Sequence, residues 1–120
     1  MRKQVFVGGG LREAAKRVSE AWHRVEGGEA SVAEDNVTFV SWSALASVMT
    51  DKRYELLRHL HRRPAESIRA LSRDIGRDFK RVHEDVKALE AVGFIERSDG
   101  RLHADYDAIR ATILLDASAA

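Results

Sequence analysis

The order of local signals between Thr50 and Ala104 constrains this chain most, because three short helix patterns follow one another and lead directly into a hairpin pattern. Thr50 can cap a helix through its hydroxyl, and Asp51 sits favourably at the positive end of the helix dipole. Tyr54, Leu56, Leu57 and Leu60 form the buried side of this first helix, which Pro64 ends. After the short linker Pro64-Ala65-Glu66, Ser67 is the next cap. Ile68, Leu71 and Ile75 then recur at helical spacing, so a second helix spans Ser67 to Ile75. Gly76 supplies the backbone freedom of a tight inter-helix turn, and Asp78 caps a third helix that runs to Val92 and closes at Gly93. Two extended runs, FIER and RLHA, flank Asp99 and Gly100, a pair suited to a turn with positive backbone angles. The whole pattern reads as a winged helix-turn-helix, with the hairpin as the wing.

Charge supports a nucleic-acid partner once its distribution is considered. The net charge of the 120 residues is only +1. Residues 1 to 51 carry 6 basic and 7 acidic side chains, residues 52 to 81 carry 10 and 4, and residues 82 to 120 carry 4 and 8. The basic block therefore coincides with the first two helices and the start of the third, the part that a helix-turn-helix lays against phosphate.

A helical wheel of about 100° per residue sorts the third helix. Val82, Val86 and Leu89 share one face, with Phe79 at its edge, where it packs or offers an aromatic edge to a thymine methyl. The opposite face holds Arg77, Lys80, Arg81, Glu84 and Lys87. A recognition helix enters the major groove by its N-terminal half, so Lys80, Arg81 and Glu84 fall nearest the base edges. Arg81 suits a guanine fork, and Glu84 suits a cytosine amino group. Arg77 and Lys87 are phosphate candidates, as are Ser67, Arg69 and Arg73 on the second helix, which crosses the backbone. In the wing, Arg97, Arg101 and His103 are placed for phosphate or the minor groove. The plain alternative throughout is a charged face or turn that simply meets water.

The run SIRALSRDIGRDFKRVHEDVKALEAVGFIERSDGRL resembles the MarR-like winged-helix regulators, above all in its LEAVGFIER ending. With TFVSWSALASVMTDKRYELLRHL ahead of it and DYDAIRATILL behind it, nearly the whole chain resembles a family of small DNA-binding regulators assigned as antitoxins. That resemblance implies an autoregulating antitoxin whose gene is paired with that of a small toxin.

The remaining residues need a separate purpose. The run QVFV near the start suits an edge strand. Leu11, Ala15, Val18, Trp22 and Val25 then form a narrow apolar stripe that Gly27 and Gly28 stop, the seam of a helix that packs on its own domain, on a second subunit or on a partner. The strand NVTFV and a helix of Trp42, Leu45, Val48 and Met49, capped by Ser41, lead into the core, with Trp42 read as a core residue. The C-terminal run ATILL reads as a strand without an assigned partner, a second candidate surface for a partner, and ASAA as a frayed tail. The expected fold is thus α+β and mainly helical. An N-terminal strand-helix extension at 1–49 precedes the winged helix at 50–104, and a C-terminal strand and tail occupy 105–120.

Other classes find little support. The chain has no cysteine, so disulfides and thiolate metal sites are excluded, in keeping with a cytoplasmic setting. Neither a signal peptide nor an apolar run of about 20 residues is visible, which argues against a membrane partner. The glycines at 8 to 10 lack the lysine and hydroxyl context of a phosphate loop. His59 and His61 diverge by about 200° on one helix, and His23, His83 and His103 belong to separate elements, so no metal site is expected. The carboxylate pairs Glu84/Asp85 and Asp105/Asp107 lack a nucleophile. No enzyme and no cofactor are expected. The reading is a sequence-specific double-stranded DNA-binding regulator that represses its own operon by excluding polymerase, and two-fold operators favour a homodimer. The alternatives are a protein-interaction module that neutralises a toxin, and binding of structured RNA by the same basic face.

Overall fold

The computed structural model describes residues 2–8 and 35–115. Two strands, four consecutive helices and three further strands follow one another along these residues, an α+β arrangement that divides into two units. One unit comprises the described parts of Met1–Leu45 and Ala108–Ala120, and the other is Ala46–Asp107. The proposed stripe from Leu11 to Val25 lies outside the described residues.

The first unit is a three-stranded parallel sheet of β1 (Arg2–Val7), β2 (Asp35–Phe39) and β5 (Ala108–Ile113), in the order β2-β1-β5. QVFV is therefore the central strand, not an edge. The C-terminal strand, to which the sequence assigns no partner, pairs with β1 in a register that sets Val5 beside both Val37 and Ala111. Burial alternates along β1 as strand geometry requires, with Lys3, Val5 and Val7 turned to one covered face. Local sequence announces strands but not their neighbours, and parallel neighbours lie far apart along the chain. The C-terminal strand thus shares a unit with the N-terminal strand.

Helix α1 (Trp42–Val48) follows β2, and the Ser41 hydroxyl oxygen accepts from the Ala44 N–H at 3.2 Å. Trp42, expected in the core, is 58% exposed. Within a seven-residue helix only Leu45 is buried, so the apolar stripe of α1 is one residue deep.

The second unit contains α2 (Asp51–Arg62), α3 (Ile68–Ile75), α4 (Phe79–Ala91), β3 (Glu96–Ser98) and β4 (Arg101–His103). Its three helix starts follow the predicted chemistry. Thr50, Ser67 and Asp78 accept from the N–H groups of Arg53, Ala70 and Arg81 respectively. Gly76 ends α3 with φ 66° and ψ 35°, a left-handed conformation that a side chain would strain. Asp99 and Gly100 both have positive φ and close the β3–β4 hairpin, whose register pairs Arg97 with Leu102.

Leu56, Leu57 and Leu60 of α2, Leu71 of α3, and Val82, Val86 and Leu89 of α4 bury their side chains together with Phe94, Ile95 and Leu102. Each such side chain contributes about 1.5–3 kcal/mol through removal from water. Tyr54, expected on this buried side, is 53% exposed, and the Arg58 guanidinium lies 5.6 Å from its ring centre. The linker between α2 and α3 contains a short bridge. Ala65 N–H donates to the Leu102 carbonyl at 3.1 Å, and Leu102 N–H donates to the Ala65 carbonyl at 2.8 Å. The hairpin is thereby sewn to the segment that precedes α3. Tyr106 adds a tie from the other side, its hydroxyl donating to the Phe94 carbonyl at 3.0 Å. Burial, with a smaller contribution from the Glu96 charge, pushes that phenol well above its ordinary range.

Candidate nucleic-acid interface

Helix α4 is the organising element of the candidate surface. Val82, Val86 and Leu89 are completely buried along one side. This fixes the helix rotationally, so Lys80, Arg81, Glu84 and Lys87 are exposed on the other side. The side chains of Lys80, Arg81 and Glu84 have no ion-pair partner among the described residues. Lys87 is 57% exposed and lies 3.8 Å from Glu90, one turn on.

The other candidates divide by the company they keep. Ser67 is committed as the α3 cap, its oxygen taking the Ala70 N–H at 3.0 Å. Arg69 and Arg73 are exposed on α3. The Arg69 guanidinium carbon stands 4.3 Å from the centre of the Phe79 ring. Phe79 is 37% exposed and also meets His83, with ring centres 5.8 Å apart. The ring thus sits at the margin of the core, under an arginine from the preceding helix.

Arg77, a phosphate candidate from its sequence position, is engaged internally. Its Nη2 donates to Asp85 Oδ2 at 2.7 Å, and only 20% of its side chain is exposed. Asp85 also receives the Arg53 Nε–H at 2.9 Å. A second nitrogen of Arg53 donates to the Ser47 and Val48 carbonyls, each at 3.1 Å, and so caps the C-terminus of α1. This carboxylate therefore ties α2, the α3–α4 turn and the end of α1 to α4. Neither Arg53 nor this role for Asp85 was singled out from sequence. The two arginines and the aspartate lie 8 and 32 residues apart, beyond any local spacing rule.

The hairpin shows the same division. Arg97 forms a two-pronged bond with Glu90, Nε to Oε2 at 2.8 Å and Nη2 to Oε1 at 2.9 Å. The Arg97 hydrogen bond outweighs partial desolvation and holds the Glu90 carboxyl below its ordinary value, while Arg97 itself is raised by the same bond. The first arginine of the hairpin is thus turned back onto α4. Arg101 keeps a looser contact of 3.8 Å with Glu66, and His103, only 19% exposed, lies 3.7 Å from Asp105. His61 Nδ1 stands 2.9 Å from the Ala104 carbonyl, the distance of a hydrogen bond that an N–H there donates. Among the described residues no three metal-capable side chains gather, and no helix is long and apolar enough to cross a membrane.

The structure therefore leaves Arg69 and Arg73 of α3 and Lys80, Arg81 and Glu84 of α4 exposed, and engages Arg77 and Arg97 in internal pairs. No curated protein and no solved structure matches the chain significantly. The family model HVO_A0114 matches residues 48–111, from the end of α1 to within β5 and just over half of the chain. The protein accordingly belongs to the HVO_A0114 family.

Proposed function

We propose that residues 50–104 form a winged helix-turn-helix that binds duplex DNA, and that the protein is a transcriptional regulator. The order α2, Ala65 bridge, α3, α4 and hairpin, with β4 paired to the bridge on one side and to β3 on the other, supports this reading. The observation that carries it is the outer side of α4. Lys80, Arg81 and Glu84 stand exposed in the N-terminal half of a helix whose opposite side is locked in the core. Groups so held, with no internal ion pair among the described residues, are prepared to meet base edges, while Arg69 and Arg73 meet phosphate. Arg101 is the better wing contact, since Arg97 is held by Glu90.

The resemblance to MarR-like antitoxin regulators supports repression of the protein's own operon as a homodimer. Fluorescence anisotropy with duplex DNA from upstream of the gene, against a scrambled duplex at two salt concentrations, tests the proposal. Tight, sequence-dependent binding that weakens with salt is expected. Equal and weak binding to both duplexes would overturn it, and stronger competition by RNA than by DNA would redirect it to RNA.

Neutralisation of a toxin protein is the second reading, favoured by apolar exposure in the sheet unit. Val40 is 84%, Trp42 58%, Ile113 54% and Leu115 99% exposed. Replacing Lys80 and Arg81 with alanine should then abolish DNA binding and spare neutralisation.

A further inference from the structure

We propose that Phe79 is a positioning residue whose ring holds the Arg69 guanidinium ready for a DNA phosphate. The inference rests on the DNA-binding reading above and names the device that prepares one of its contacts.

Arg69 is the second residue of α3, in the turn that a helix-turn-helix brings closest to the sugar-phosphate backbone. A free arginine there would lose much side-chain freedom on binding. Here the guanidinium already lies over an aromatic face, 4.3 Å from the ring centre. The manner of holding matters. Arg77 and Arg97 are held by carboxylates, which take one or two of their N–H donors and offset their charge. An aromatic face attracts the flat side of the guanidinium, leaving the N–H edge and the full positive charge for an anion.

Phe79 is suited to this task by its own anchorage. It is the first residue of α4, directly after the Asp78 cap, and His83 stands against it one turn later. Its exposure of 37% sets it apart from Val82, Val86 and Leu89, which are completely buried. The stack also spans two helices, so the arginine is fixed relative to the helix proposed to enter the groove.

A double-mutant cycle tests the idea on the full chain. Arg69→Ala should weaken duplex binding about three- to ten-fold, as expected for one lost phosphate contact. Phe79→Leu, which keeps an apolar side chain at the helix start, should weaken it about two- to five-fold. The double variant should bind no worse than Arg69→Ala alone, and Phe79→Trp should restore affinity. Both losses should be equal on specific and scrambled duplexes, with a shallower salt dependence in each. Multiplying losses in the double variant would overturn the proposal. So would a Phe79→Leu loss confined to the specific duplex and reproduced by replacing thymine with uracil, which would assign the ring to a methyl group instead.

The free protein separates this proposal from the DNA reading. The Arg69 side-chain protons should show an upfield ring-current shift in NMR spectra that Phe79→Leu removes and Phe79→Trp retains. Absence of that shift overturns the stack. Its presence in a protein that binds no duplex overturns the phosphate role and the DNA reading together, while the stack stands.

Discussion

Along α4, Lys80, Arg81 and Glu84 in the N-terminal half stand exposed without ion-pair partners among the described residues, whereas Asp85 and Glu90 further along are both gripped by arginine. One helix thus carries two kinds of charge. The paired ones hold α2, the α3–α4 turn and the hairpin in place around α4, and the unpaired ones face solvent. The difference teaches that the excess of basic residues between 52 and 81 overstates the surface available to an anion. Arg53 and Arg77 belong to that block but face Asp85, which lies outside it. A +6 segment in sequence is a smaller positive surface once folded.

The strongest way to break this comparison is to remove the carboxylate at its centre. Asp85→Ala leaves two arginines, each about one-fifth exposed, without their anion and should destabilise the second unit by about 3 kcal/mol, measured by urea denaturation. Unchanged stability would show that the paired charges do not hold the fold. Arg81→Ala should do the opposite. Its unfolding free energy should stay within about 0.5 kcal/mol of the wild type. Under the DNA reading, discrimination between operator and scrambled duplex should fall by about 1–3 kcal/mol, read from paired anisotropy titrations.

A neutral tie gives a smaller effect. Tyr106→Phe removes the hydrogen bond to the Phe94 carbonyl and should cost about 1 kcal/mol in thermal or chemical denaturation, with DNA affinity unaltered.

The smallest effect is a pH dependence. Because Arg97 holds Glu90 below its ordinary 4.5, the contribution of the pair is fully present above that value. It is lost as pH falls through the lowered folded-state value. The stability difference between wild type and Glu90→Gln should therefore be flat from about pH 5 to 8 and shrink on further acidification, amounting to less than about 1 kcal/mol for a pair this exposed. A difference that grows with acidification would contradict the assignment.

The second unit was legible in the sequence because its determinants are local. Caps at Thr50, Ser67 and Asp78, the glycine at 76 and the Asp99-Gly100 turn act within a few residues of where they stand. The buried stripe of α4 follows from spacing alone, as does the exposed position of Lys80, Arg81 and Glu84. What spacing cannot convey is which long side chain reaches which distant carboxylate. Arg53, Arg77 and Arg97 look the same in sequence as Arg69 and Arg73. The Ala65 bridge escaped for a related reason, since its hydrogen bonds are made by backbone and carry no side-chain signature. Tyr54 and Trp42 stand at apolar spacing, yet each is more than half exposed, because spacing alone does not show how deeply a large ring is covered.

The pairing of β1 with β5 joins Arg2 to Ala108 and Val7 to Ile113, partners 106 residues apart, with the whole helix-hairpin unit inserted between them. This nesting sets an order of assembly. On a ribosome, α2, α3, α4 and the hairpin emerge and can close over their own apolar residues while β1 still waits for a neighbour not yet synthesised. The central strand of the sheet is the first to be made and among the last to be completed. Its formation is governed by closure of a long loop, so refolding of the sheet should lag behind that of the helices.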